Sequence, residues 1–306
     1  MNNFLEKHSD HYILFDHANG FNKQLKNQFL ENIAGTVYTE YMVNDVIKQN
    51  YPKIKFKYNL DWRHNFVNNI NLDTCPDKKF KNFVCSFNGS DSVSRQFLTS
   101  AMYKFKWINA DYFSKNFCYS KDKIDGNILE FFNDPKQESF YRKFIIDDSP
   151  DVDAFYHSVI SIDYDQFNHT KNLQTLSGRI SESFVQLIAE TEGTSYFPFI
   201  TEKFIYPIAN KTLFIMFGQP GWNQQVEEYY GFKKYNQIFN YEFDNIQNPV
   251  IRLVEIMAMI SKFEKLSKFD WHDLYLLEYE TIEYNYDWFR SKKYLEKLKR
   301  CTNVVD

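Results

Sequence analysis

Phe184-Val-Gln-Leu-Ile-Ala-Glu-Thr191, Phe199-Ile-Thr-Glu-Lys-Phe204 and Leu213-Phe-Ile-Met-Phe-Gly218 carry the topology of the chain in their pattern. The first is an apolar run ending at Glu190, which reads as a buried strand. About ten residues later Thr201 is a good helix N-cap, and Glu202 is favoured in a first turn. The helix over Thr201–Ala209 must kink or end at Pro207. A second buried strand then runs to Gly218. Strand, helix and strand in that order predict a parallel sheet with Glu190, Thr201, Glu202 and Lys203 on its carboxyl edge, where open α/β sheets bind ligands. A helix N-terminus there offers N–H groups and a positive dipole end to a phosphate. Lys203 adds a cation for a diphosphate, and the Glu202 carboxylate can accept both hydroxyl hydrogens of a ribose.

The same alternation extends outward. Tyr12–Asp16 reads as a buried strand with Asp16 and His17 at its carboxyl end, followed by helix-like stretches at Lys23–Ala34 and Tyr38–Gln49. Ile54–Leu60 alternates lysine with apolar or aromatic residues, as a half-exposed strand does. Lys81–Phe87 is a further strand. It runs into the turn-rich Asn88-Gly-Ser-Asp-Ser92, and a helix capped by Ser92 or Ser94 then continues to about Lys106. Tyr112–Tyr119 again reads as a strand. The acidic, proline-containing Asp147–Asp153 reads as a loop or domain junction. Downstream, Asn223–Tyr230 is a short helix closed by Gly231, and Pro249–Phe263 is a helix with proline in its first turn. Trp271–Arg300 contains neither glycine nor proline and reads as one long helix. The expected organisation is α/β throughout: an N-terminal domain over 1–150, a second domain over 151–268 and a closing helix over 269–306.

Composition narrows the function classes. The 306 residues are 43% hydrophobic and 25% charged, which suits a globular chain of two domains and not a disordered one. The net charge of −4 shows no global basic excess, so any nucleic-acid contact requires a local patch. Cys75, Cys85, Cys118 and Cys301 form no C-x-x-C pair and read as reduced thiols. The N-terminus carries no apolar signal core, and no run approaches the roughly 18 apolar residues of a membrane helix. A cytoplasmic protein without membrane insertion is expected. The 31 Phe and 22 Tyr accompany abundant Asn, Lys and Ile, the signature of an AT-rich coding bias.

The block around Lys203 resembles the donor-binding half of the fucosyltransferase-type glycosyltransferases. It is closer still to a group of fucosyltransferase-like proteins common in phages and environmental sequences. Six elements appear in order: Glu190-Thr191, Phe199–Lys203, Pro207-Ile-Ala209, Leu213–Phe217, Gly218-Gln-Pro-Gly221 and Gly231-Phe-Lys233. Upstream, Ser86–Arg95 retains Asn88 and Arg95 of a phosphate or acceptor loop, with Gly89 and Ser90 where relatives carry basic residues. Ile282–Phe289 resembles the family's closing helix. The resemblance implies a GT-B architecture of two facing Rossmann-like domains, with a sugar nucleotide as donor and no obligatory cofactor or metal. It implies that Lys203 contacts the diphosphate, Glu202 the ribose and Phe199 the ribose or base, with Glu190 organising the loop or the sugar. It also implies inversion at the anomeric carbon, which needs a general base; Asp16 is the candidate. A surface glycan or a modified DNA base is the natural acceptor.

Other residues admit plainer readings. Asp151-Val-Asp153 could hold a divalent metal, as in a metal-dependent GT-A enzyme, but reads as a solvated junction, as does Asp163-Tyr-Asp165. Arg179 could reach the diphosphate from a polar loop. Trp222 could stack on a base or cap the core. The seven histidines do not cluster at metal-ligand spacings: His8 and His11 are three apart but lie near the terminus, and His64, next to Trp62 and Arg63, reads as packing or as an acceptor-loop residue. The chief rival class is a nucleotide- or carbohydrate-binding module that shares the fold without catalysis.

Overall fold

The computed structural model describes residues 5–8, 11–14, 35–39, 49, 52–58, 78–162, 169–190 and 201–301. Two four-stranded sheets are present among them. The first joins β1 (Leu5–His8), β2 (His11–Leu14), β3 (Gly35–Thr39) and β4 (Ile54–Tyr58) in sequence order. β1 is antiparallel to β2, and β2, β3 and β4 are parallel. Tyr38 and Thr39 close β3 against Lys57 and Tyr58, so the helix expected from Tyr38 begins with a strand end instead. β-branched Thr36, Val37 and Thr39 with Tyr38 suit a pleated ladder better than a helix. The stretch Lys23–Ala34 lies outside the described residues.

The second sheet is entirely parallel. It contains β5 (Asn82–Asn88), β6 (Phe113–Lys115), β7 (Ser183–Ala189) and β8 (Leu213–Phe217), in the order β6-β5-β7-β8. All seven residues of β7 are buried, as expected of a central strand covered on both faces. Over one face, α5 (His169–Ser181) and α6 (Glu202–Ala209) bury Leu173, Leu176, Ile180, Tyr206 and Ala209 against Cys85 and Phe87. The other face carries α1 (Val93–Lys104), α8 (Pro249–Glu264) and α9 (Lys268–Leu277). There the Phe184 and Trp271 rings stack at 5.8 Å. Between β6 and α5 lie α2 (Lys121–Leu129), α3 (Pro135–Ile145) and α4 (Val152–His157). The short α7 (Trp222–Gln225) runs into a π-helical turn over Val226–Tyr230, which Gly231 ends at φ +81°.

Two expectations about organisation are corrected. A boundary at 150 would divide this sheet, because β5 and β6 pair with β7 and β8 across it. The 147–153 stretch is a turn leading into α4, where Asp151 precedes the first helical residue. The closing segment is three helices, α9, α10 (Tyr279–Arg290) and α11 (Lys293–Cys301), not one. A capping box between Ser267 and Asp270 starts α9. Glu278 then leaves helical geometry at φ −99°, ψ 8°, and Lys292 turns the chain at φ +58°. Glu278 is drawn from the helix because its buried carboxylate accepts the Gln237 N–H, a tertiary bond that no local pattern announces. Among the described residues no helix is long and apolar enough to cross a membrane.

Candidate functional site

β5 sends its chain one way to β6 and receives β7 on its other side, so the strand order reverses between β5 and β7. Open α/β sheets place their ligand crevices outside the carboxyl ends of strands at such a reversal. Arg95 bridges it. The guanidinium leaves the first turn of α1, donates from Nε to the Ala189 carbonyl at the end of β7 (3.4 Å) and from Nη1 to the Ser90 carbonyl (2.9 Å) and hydroxyl. Its burial is nearly complete, at 1% exposure. Ser92 caps α1 by accepting the Arg95 N–H, which sets where the helix starts and therefore where the guanidinium emerges.

On the β7 side, Glu190 follows the strand directly and its N–H bonds the Phe217 carbonyl of β8 at 3.1 Å. Its side chain is fully buried. Oε1 accepts the Thr201 hydroxyl at 3.0 Å, and Oε2 has no partner among the described residues. Thr201 is the N-cap of α6 and also accepts the Lys203 N–H. Lys203 is 9% exposed, and its ammonium donates no hydrogen bond among the described residues. Glu202 stands beside it, half-buried in the same turn. Burial pushes the Lys203 ammonium down to about 8, and repulsion from Arg95 adds to this against the attraction of Glu202 and Glu190. Burial likewise raises the Glu190 carboxyl above the usual carboxylate range, opposed by Lys203. Glu190 and Lys203 are thus both pushed toward their neutral forms, the condition of a charged site whose solvation is missing.

The helix N-terminus contributes less than its position suggests. The Lys203 N–H is taken by Thr201 Oγ1 and the Phe204 N–H by the Thr201 carbonyl at 3.2 Å.

The structure brings Glu190, Thr201, Glu202, Lys203 and Arg95 together. Asn88 is adjacent but committed: its amide donates to Ser86 Oγ and the Ser114 carbonyl, tying β5 to β6. Arg179 does not join them. It lies on α5 rather than in a loop, bonds the Asp111 and Thr175 carbonyls, and sits before β7 at the amino edge of the sheet. The length of β7, about 20 Å at 3.3 Å per residue, separates it from Glu190. Trp222 caps the core: it is 1% exposed, packs edge-on against Phe204 and lies where a Cβ on Gly218 would come within 2.7 Å. Asp151 and Asp153 are exposed at the start of α4. Among the described residues no three His, Cys, Asp or Glu side chains converge as a metal site would. Asp16, His17, His64, Asp163, Asp165 and Phe199 lie outside the described residues.

Two further elements of the sequence pattern are packing devices. Arg252 donates to the Gly218 carbonyl at 2.8 Å and to Ile246 and Gln247, clamping the turn after β8. Gly231-Phe-Lys233 docks on α10, where Asn285 exchanges two bonds with the Lys233 backbone at 2.8 and 2.9 Å and Trp288 donates to the Tyr230 carbonyl. One residue that the sequence pattern does not single out is Gln219, inside the clamped turn. It is 1% exposed, and both amide atoms lack partners among the described residues. A polar residue placed between Gly218 and Pro220, directly after a buried strand on the same edge as Glu190, is the available signal.

Fold and site together define a mixed α/β protein with two buried cations and a buried carboxylate at a strand-order reversal. Comparison with family models, with curated proteins and with solved structures finds no match to this chain.

Proposed function

We propose that the protein is a glycosyltransferase that moves a sugar from a nucleoside-diphosphate sugar to an acceptor hydroxyl or base, and that the β5–β8 unit binds the donor. The observation that carries this reading is Lys203: a largely buried lysine whose ammonium donates no hydrogen bond among the described residues, near the Arg95 guanidinium and the Glu190 carboxylate, whose Oε2 has no partner among them. Burial disfavours the charged form of Lys203 and the neighbouring Arg95 repels it, against the attraction of Glu202 and Glu190. A diphosphate relieves both. In this reading the architecture is GT-B, with the β1–β4 unit on the acceptor side and the division between β4 and β5.

The transfer follows from those roles. The acceptor oxygen attacks the anomeric carbon while the bond from that carbon to the diphosphate oxygen breaks, and its electron pair leaves with the diphosphate. Lys203 and Arg95 stabilise the charge that develops there. The acceptor's proton passes to a general base, for which Asp16 is the candidate.

The test is a thermal-shift series with nucleoside diphosphates and sugar nucleotides, with and without chelator. A ligand that binds only the folded state raises its apparent stability. The expected result is a shift with one nucleotide class that persists in chelator and disappears in Lys203→Ala. A well-folded sample that no member shifts would overturn the reading.

A further inference from the structure

Gln219 is held in place without using its own side chain. Its backbone carbonyl accepts the Trp222 N–H at 3.2 Å. The residue before it is fixed by Arg252 on the Gly218 carbonyl, and the turn closes at Gly221, whose φ of +75° favours glycine and whose N–H bonds the Asp244 carbonyl. The carboxamide carried by this turn is buried, yet among the described residues neither its oxygen nor its nitrogen has a partner. Folded proteins rarely leave both ends of a buried amide unsatisfied, and when they do, an absent water, ion or ligand group is the first explanation.

Its position favours a ligand. Ala189 of β7 pairs with Phe217 of β8, and Glu190 N–H bonds the Phe217 carbonyl, so Glu190 and Gln219 both follow directly from neighbouring strands on the carboxyl edge. Glu190 Oε2 is likewise buried and unpartnered. Arg95 and Lys203 mark the phosphate position at the β5–β7 reversal. Gln219 stands beyond it on the β8 side, about two strand spacings or 10 Å from β5. A nucleoside-diphosphate sugar is longer than that and extends past the cations in both directions.

We propose that Gln219 is a specificity-determining contact for the part of the donor that is not phosphate, its carboxamide pairing with a group that presents a donor and an acceptor side by side. This inference rests on the donor-site reading above. The amide edge of a nucleobase and the hydroxyl of a sugar both have that chemistry.

The experiment is calorimetric titration of the full chain and of Gln219→Leu and Gln219→Met with inorganic pyrophosphate, nucleoside diphosphates and sugar nucleotides. Each titration is accompanied by ligand-free melting. Pyrophosphate should bind all three proteins alike, because it reaches only the cations. Loss of a bidentate pair should weaken the complete ligand about tenfold or more. Loss already seen with the nucleoside diphosphate assigns Gln219 to the base; loss seen only with the sugar nucleotide assigns it to the sugar. The ligand-free variants should melt no lower than wild type, since an apolar side chain removes two unsatisfied atoms. Unchanged affinity for every sugar nucleotide, or a lower melting temperature in both variants, would overturn the proposal. Failure of pyrophosphate to bind the wild-type chain would instead count against the donor site itself.

Discussion

Lys115 and Lys203 lie along one sheet edge, two strands apart, and differ in how their ammonium groups are partnered. Lys115 is the last residue of β6, and Lys203 lies in the first turn of the helix that follows β7. Both are buried, and in both burial pushes the ammonium down to about 8. Lys115, however, donates to the carbonyls of Phe117 (3.0 Å), Tyr156 (3.2 Å) and Ser158, and it lies 4.9 Å from the Tyr119 ring centre and 5.0 Å from that of Phe155. The Lys203 ammonium donates to nothing among the described residues. The same contrast separates two buried carboxamides: Asn285 uses both ends on the Lys233 backbone, and Gln219 uses neither. The two lysines share a lowered titration and differ in hydrogen-bond satisfaction, so the titration alone does not separate them. In the proposed reading, the satisfied Lys115 and Asn285 hold the fold, and Lys203 and Gln219 are left for a ligand.

Substitution at the satisfied pair should have the largest effects. Lys115→Ala leaves three buried carbonyls without their donor and should destabilise the protein by about 3–5 kcal/mol in urea denaturation. A cost no greater than that of Lys203→Ala would erase the distinction between the two lysines. Asn285→Leu should cost about 2–3 kcal/mol. Pyrophosphate affinity, measured by titration of the folded variant, should stay at the wild-type value, because Asn285 joins Gly231-Phe-Lys233 to α10 and touches no part of the proposed donor site.

At the unsatisfied lysine the expected pattern reverses. Lys203→Met should weaken diphosphate binding by about 1.5–3 kcal/mol, the worth of a charged hydrogen bond, while raising the ligand-free melting temperature. Calorimetry and melting of one sample read both. A fall in both quantities would mean that Lys203 supports the fold as Lys115 does.

The smallest effect is on pH dependence. Only protonated Lys203 attracts a diphosphate, so affinity should fall as pH rises through about 8. The loss should be roughly tenfold between about pH 7 and pH 9, following the shrinking protonated fraction. Lys203→Arg should flatten that profile. Stability of the ligand-free protein moves the other way. The folded-state value lies below the ordinary lysine value of 10.5, so the unfolded chain holds more protons between about 8 and 10.5 and folding becomes more favourable as pH rises across that window. Lys115 contributes with the same sign, so Lys203→Arg should reduce this gain without abolishing it.

The legible parts of the molecule share a physical character. β7, β8, the Thr201 cap, the helix end after Pro207 and the Gly231 stop follow from periodicity, capping and backbone freedom, which act over a few residues. They suffice to place Glu190, Thr201, Glu202 and Lys203 on one edge. Arg179 is harder to place, because a polar stretch before a strand reads equally as loop or helix; α5 is stabilised by the apolar face that Leu173, Leu176 and Ile180 bury. The expected closing helix breaks at Glu278 and Lys292, where buried bonds from distant segments and a left-handed residue override good local propensity. A division at 150 does not hold because strand pairing is non-local: β7 lies about 100 residues from β5 and beside it in space.

The α/β alternation of the β5–β8 unit and the residue types on its carboxyl edge are written in the amino-acid order, because apolar periodicity and helix capping operate within single turns and strands. Which buried polar groups are satisfied is a property of the folded chain alone. Arg95 finds its acceptor at Ala189, 94 positions away, and Lys115 finds one of its own at Ser158, 43 positions away, while Lys203 and Gln219 find none among the described residues. Hydrogen bonds form between neighbours in space, and the packing of the sheet and its helices creates those neighbours.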